Sequence, residues 1–135
     1  MMLKHDERDV MVKLYMEKSM KALRSAKNTL EDDPDNSINR SYYSMFYAAQ
    51  GALVAKGFSD FRKHQTVISK FGEIFVKTGF LDKELGKNIK RVENLRYRAD
   101  YNPKINFSSE EAREQVERAE QFVSAVNKLL NQGLK

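Results

Sequence analysis

From Asp6 to Leu130 the apolar residues of this chain recur at intervals of three and four, and no stretch alternates apolar with polar long enough to compete as a strand. That periodicity restricts the chain to helices packed on helices. Five segments account for it. The first spans about Asp6 to Leu30, with Val10, Leu14, Leu23, Ala26 and Leu30 near the core, and stops in "EDDPDNS", where Pro34 marks the break. The second, about Ser37 to Lys56, is closed by Gly57, a residue type that tolerates a left-handed cap. After the polar loop "FSDFRK", a third runs from His64 to Lys77 with Val67, Ile68, Phe71, Ile74 and Phe75, and Gly79 ends it. The fourth starts near Asp82 and stops by Tyr101 or Asn102, because the residue preceding Pro103 is pushed out of helical geometry. The fifth opens with "SSEE", where Ser108 and Glu111 have capping-box spacing, and continues through Val116, Phe122, Val126 and Leu130. Connections this short favour antiparallel neighbours. The expected fold is all-α, an up-and-down helical bundle of four long helices plus one short helix.

With 135 residues and 41% hydrophobic content, the chain suffices for one ordinary core, so residues 1–135 read as a single domain. Composition then removes whole classes of chemistry. The absence of cysteine excludes disulfides, thiolate metal sites and cysteine nucleophiles. Two histidines, His5 and His64, argue against a histidine-built metal site, and the six scattered glycines form no phosphate loop. Neither a metal nor a cofactor is expected. The start, "MMLKHDERDV", turns charged too early for a signal peptide. The most apolar stretch, "MFYAAQGALVA", falls well short of the roughly 20 residues of a membrane span. A cytoplasmic protein without membrane contact is expected. The net charge of +5, from 24 basic and 19 acidic residues, is compatible with phosphate binding without demanding it.

The second segment carries two apolar faces. Ile38, Tyr42, Met45, Phe46, Ala49 and Leu53 form one, and Tyr43, Tyr47 and Val54 form another on nearly the opposite side. Such a helix is either central to the bundle or sandwiched at an interface, and the tyrosine face suggests a homodimer contact as the second case.

On the fourth segment, Leu81, Leu85, Ile89, Val92, Leu95 and Ala99 cluster on one side of a helical wheel, opposite Lys83, Lys87, Lys90, Arg91 and Arg98. Arg96 belongs to neither group. It projects into the apolar stripe, where an unpaired guanidinium is costly to desolvate. Glu93 and Asp100, three and four residues away, offer intrahelical partners and a packing role. The alternative is a cleft in which a phosphate takes their place. Tyr97 and Tyr101, one turn apart and flanked by Arg98, combine stacking surface with charge as nucleotide and single-strand sites do, although tyrosines near a helix end also anchor loops. Lys63 and His64, with Arg62, add a second basic group at a helix start, where free amides favour anions. His64 reads equally well as a capping or solvent-facing residue.

Three stretches, "NRSYYSMFYAAQGALVAKG" from Asn39, "RKHQTVISKFGEIFVKTGFLD" from Arg62 and "LRYRADY" from Leu95, together resemble the HEPN family, the "higher eukaryotes and prokaryotes nucleotide-binding" helical domain, and its small bacterial and archaeal members in particular. The resemblance implies a helical bundle that commonly dimerises and is often encoded beside a minimal nucleotidyltransferase as toxin and antitoxin. A homodimer, such a partner, and nucleotide or RNA as ligand are therefore expected. Many members are metal-independent ribonucleases, marked by an arginine followed after four to six residues by a histidine. Here the arginine corresponds to Arg96, and Tyr101 stands where the histidine would. A phenol of ordinary pKa near 10 is a poor general base at neutral pH, so binding survives the change more easily than catalysis. The resemblance thus implies two readings. In one, nucleotide or RNA phosphate binds near Arg96 with Tyr97, Arg98, Asp100, Lys63 and His64. In the other, Arg96 and Tyr101 are catalytic, with His64 as substitute base only if the third helix starts beside the end of the fourth. A non-catalytic dimeric module, with Arg96 satisfied by its own helix, is the third possibility.

Overall fold

A computed structural model describes residues 5–58 and 61–133, apart from the side chains of 5 and 6. The opening "MMLK", the side chain of His5 and the loop residues Ser59 and Asp60 lie outside the described residues. The described residues form helices joined by turns and short loops and contain no strand, with α1 at His5–Asn28, α2 at Pro34–Ala55, α3 at His64–Phe71, α4 at Lys83–Tyr101 and α5 at Ser109–Asn131.

Two boundaries differ from the sequence reading, each for a local reason. Pro34 ends no helix; it opens α2, three residues early. At the first helical position its missing N–H costs nothing and its fixed φ is already helical, while the Asp33 carboxylate caps the turn by accepting from the Asn36 N–H at 3.3 Å. The third segment does not stay α-helical to Lys77. After Phe71 it widens into a π turn over Gly72–Val76, closed by the Lys77 N–H donating to the Gly72 carbonyl at 2.9 Å. Elsewhere the caps follow the expected chemistry. Ser108 and Glu111 form a complete capping box, and Gly57 takes a φ of +99° just past α2.

The helix α2 is the central element and touches every other helix. Tyr42, Met45 and Leu53 from it meet Leu23 of α1, Val67 and Phe71 of α3, Ile89 and Val92 of α4, and Phe122 and Val126 of α5 in one buried cluster. Phe71 is the hinge of its aromatic part, with ring centroids 5.3 Å from Phe75 and 5.0 Å from Phe122. Each such ring contributes about 1.5–3 kcal/mol by leaving water. Close approach of α1 to α2 depends on small residues. A Cβ at Gly51 would meet the Met16 sulfur at 3.2 Å and the Tyr15 Cβ at 3.3 Å, and the Ser19 hydroxyl donates to the Ser44 carbonyl at 2.6 Å.

Val10 and Leu14, expected near the core, are exposed. The buried stripe of α1 runs through Ser19, Ala22, Leu23 and Ala26, and those two residues fall off its angle. The second face of α2 also resolves. Val54 is fully buried, while Tyr43 and Tyr47 are half-buried under Arg40 and Lys18, whose cations lie 5.1 and 5.5 Å from the respective ring centroids. The helix α2 is thus central within the chain, with its tyrosine edge left partly exposed. No helix among the described residues is long and apolar enough to cross a membrane.

Candidate functional site

The packing of α4 against α2 places Arg96 over the start of the central helix. Its wheel position dictates burial, and the residue is only 8% exposed. Burial pulls its pKa down, but the hydrogen bond and charge of Glu93, with smaller contributions from Tyr43 and Asp100, outweigh that and hold it above its ordinary value. The guanidinium is therefore permanently charged. Its Nη2 donates to Glu93 Oε2 at 2.8 Å and its Nη1 to Asp100 Oδ2 at 3.3 Å, the two intrahelical partners that spacing offered. Below it lie the rings of Tyr42 and Tyr43, centroids at 5.1 and 5.8 Å. Nε is buried with no hydrogen-bond partner.

Both carboxylates reach further. Asp100 Oδ2 also accepts from Asn39 Nδ2 at 3.2 Å, and Asn39 Oδ1 accepts from Arg40 Nε and Nη2 at 3.0 and 2.9 Å. Glu93 Oε2 lies 3.9 Å from Nδ1 of His64, the first residue of α3. The third helix thus does start beside α4 in the same chain. The His64 ring lies flat on Phe46, with centroids 4.4 Å apart at 15°, and its Nδ1 is 2.7 Å from the Tyr42 hydroxyl.

The charge state of this group follows from burial. Desolvation lowers the His64 pKa below 6.5, the nearby Arg96 charge adds to that, and Glu93 only partly opposes it, so the imidazole is neutral at neutral pH. Burial first, and Glu93 by charge and hydrogen bonding second, push the Tyr42 phenol up, so it stays protonated. That hydroxyl has one proton to give. Its partner at hydrogen-bond distance is His64 Nδ1, and the direction of that bond follows the imidazole tautomer. About a third of the His64 side chain is exposed.

The sequence-derived candidates divide into two sets. His64, Arg96 and Asp100 are brought together through Glu93 and Asn39. Tyr97 and Tyr101, 56% and 68% exposed, pack on each other at 4.7 Å outside this group, and Arg98 and Lys63 are exposed too. The guanidinium of Arg96 is not open to the surface as a phosphate cleft requires; its two terminal nitrogens are engaged by carboxylates. Asn39, Arg40, Tyr42 and Phe46 escaped the sequence reading as site residues. The signal was the polar pair Asn39 and Arg40 one turn ahead of aromatics in an otherwise apolar helix. Among the described residues no cluster of three or more His, Asp or Glu could hold a metal ion.

The HEPN domain profile matches residues 12–129. The chain belongs to the HEPN family. Similar proteins include a "UPF0332 protein" of Thermotoga maritima, 35% identical over 93% of this chain and 95% of the relative. A protein of Methanocaldococcus jannaschii named "Putative toxin MJ0142" is 34% identical over 85% of this chain and 78% of its own length. A second protein of that organism, "Putative toxin MJ0605", is 34% identical over 72% of the chain and 71% of its own. Of the two residues to which the resemblance points, Arg96 is buried and Tyr101 is a surface phenol.

Proposed function

We propose that this chain is a toxin-like HEPN protein that engages RNA or nucleotide phosphate where α4 ends beside the start of α3. A single observation carries the reading: a neutral, partly exposed imidazole and a permanently charged guanidinium flank one carboxylate oxygen, Glu93 Oε2, at 3.9 and 2.8 Å. The pairing of base and cation that the family pattern writes within one helix is assembled here from two. Relatives with toxin in their names support the toxin-like role. A homodimer and a minimal nucleotidyltransferase partner belong to the same proposal, on the family resemblance.

A neutral, partly exposed imidazole beside Arg96 favours a second, sharper form, in which the protein cleaves RNA without a metal and His64 carries its proton on Nδ1. Its Nε2 lone pair would take the proton of a ribose 2′-hydroxyl as that oxygen attacks the adjacent phosphorus. The P–O5′ bond breaks as the O2′–P bond forms, the leaving 5′-oxygen takes a proton from solvent water, and a 2′,3′-cyclic phosphate results. Arg96 would stabilise the developing charge on phosphate after exchanging a carboxylate for it. His64 is the base in this scheme, and Tyr101 is reduced to a contact.

Incubating the purified protein with RNA in the presence of a chelator tests both forms. Cleavage lost in His64→Gln and Arg96→Lys but retained in Tyr101→Phe supports the enzyme. Binding without cleavage retains the first form alone. Neither binding nor cleavage at high protein concentration rejects the phosphate reading.

A further inference from the structure

The group around Arg96 contains Arg40 and Arg96 against Glu93 and Asp100, with His64 neutral, so it has no net charge with which to draw in a polyanion. Attraction has to come from elsewhere on the surface. The site for it adjoins the group. A cavity of about 410 Å³ lined by Gln65, Ser69, Lys90, Glu93 and Tyr97 continues into one of about 350 Å³ lined by Gly72, Val76, Lys77, Lys83 and Lys87, and the two share Ile68, Ser69 and Lys90. Together they form one furrow between α3 with its π turn and α4. It begins at Glu93, the residue that holds Arg96, and runs toward the start of α4.

The chemistry of the furrow is one-sided. Lys77, Lys83, Lys87 and Lys90 edge it, all exposed, against Glu73 along its length and Glu93 at its end. Lys87 shares its charge with Glu84 at 3.5 Å, whereas Lys77, Lys83 and Lys90 have no carboxylate within ion-pair distance among the described residues. Its floor is apolar, built from Ile68 and Val76, and Gly86 lets α4 approach so closely that a Cβ there would meet Val76 Cγ2 at 3.3 Å. At the Glu93 end Tyr97 offers an exposed ring backed by Tyr101. Charges along one wall, an apolar floor and an aromatic platform at the end are the parts by which single strands are held without sequence reading.

We propose that this furrow is the binding track for single-stranded RNA, its phosphates held by Lys77, Lys83, Lys87 and Lys90 and one base stacked on Tyr97. The assignment rests on the phosphate reading above and names its substrate. Lys83 and Tyr97 lie about 21 Å apart along the helix at 1.5 Å per residue, which suits several nucleotides in a row rather than one. A duplex presents no free base to Tyr97 and is too wide for a furrow between two adjacent helices.

Fluorescence anisotropy with a labelled 12-nucleotide single-stranded RNA, titrated at several salt concentrations, tests the proposal on the full chain. Lys83→Gln/Lys87→Gln/Lys90→Gln is expected to weaken binding about tenfold or more and to flatten the slope of log affinity against log salt by about 2, since each phosphate contact on a single strand contributes about 0.7. Tyr97→Ala should weaken binding with the salt slope unchanged. Removing three charges from the outer face of α1, as Lys13→Gln/Lys21→Gln/Arg24→Gln, should have a much smaller effect. These are surface positions, and circular dichroism verifies that each variant is folded. If the lysine variant binds like wild type while His64→Gln or Arg96→Lys loses binding, the furrow is wrong and the phosphate reading stands. Equal affinity for a duplex of the same length overturns the single-strand assignment. No binding by the wild type overturns both.

Discussion

Replacing Arg96 with alanine removes the cation from two carboxylates at once and uncovers the face of Tyr42. Breaking a fully buried ion pair from one side costs about 3–5 kcal/mol, because the partner charge is left without compensation. Here the orphaned groups are not fully buried. The Glu93 side chain retains 15% of its exposure and Asp100 32%, so both regain water once the guanidinium is gone. A loss of about 2–3 kcal/mol is the expected outcome, equivalent to a melting point lower by about 8 °C for a chain of this size. Urea unfolding measures it as a lower midpoint at unchanged slope. A double-mutant cycle with Glu93→Gln isolates the pair, with an expected coupling of about 1 kcal/mol. Arg96→Lys supplies the geometric control, because an ammonium keeps the charge but lacks the fork that reaches both Glu93 and Asp100. It should be destabilised by about half as much. A cost below about 0.5 kcal/mol for Arg96→Ala, with no coupling to Glu93, would refute the argument that this pair organises the end of α4.

Two further outcomes follow from the same geometry. His64 has a folded pKa below 6.5, so the unfolded chain binds more protons just below that value; stability should fall as pH drops through 6.5 and level off below the folded pKa, and the fall should shrink in His64→Gln. Proton NMR of the imidazole reads the same pKa directly, and Glu93→Gln should lower it further, because Glu93 is the one group raising it. Gly51→Ala should destabilise by about 1–3 kcal/mol despite the better helix propensity of alanine, since its Cβ would press on the Tyr15 Cβ, which yields only if α1 moves. Thermal melts check this, and a variant as stable as wild type would show that α1 is free to shift.

The connection between α3 and α4 builds the surface beside Arg96. The π turn, Gly86 and the lysines of α4 form one wall system, and the histidine at the head of α3 stands where that wall meets the buried arginine. His64 and Arg96, 32 positions apart, thus stand on either side of Glu93.

Helix content, the capping box at Ser108, the position of Arg96 on the apolar stripe and Glu93 and Asp100 as its possible partners were all readable from spacing, because each depends on residues no more than four apart on one helix; that both carboxylates hold it in a buried site was not. Membership of the HEPN family was readable too, from three stretches of pattern. Other features lay beyond any local reading. Whether Pro34 closed one helix or opened the next depended on a cap from Asp33, and the π turn on how Phe71 and Phe75 both reach the same core. Val10 and Leu14 looked like core residues until the crossing of α1 on α2 chose a different angle. The meeting of His64 with Tyr42, 22 positions away, and with Glu93, and the opening of a lysine-edged furrow beside them, arise from the packing of three helices. Periodicity tells which side of a helix avoids water; which neighbour covers that side is settled only when all the helices compete for one core.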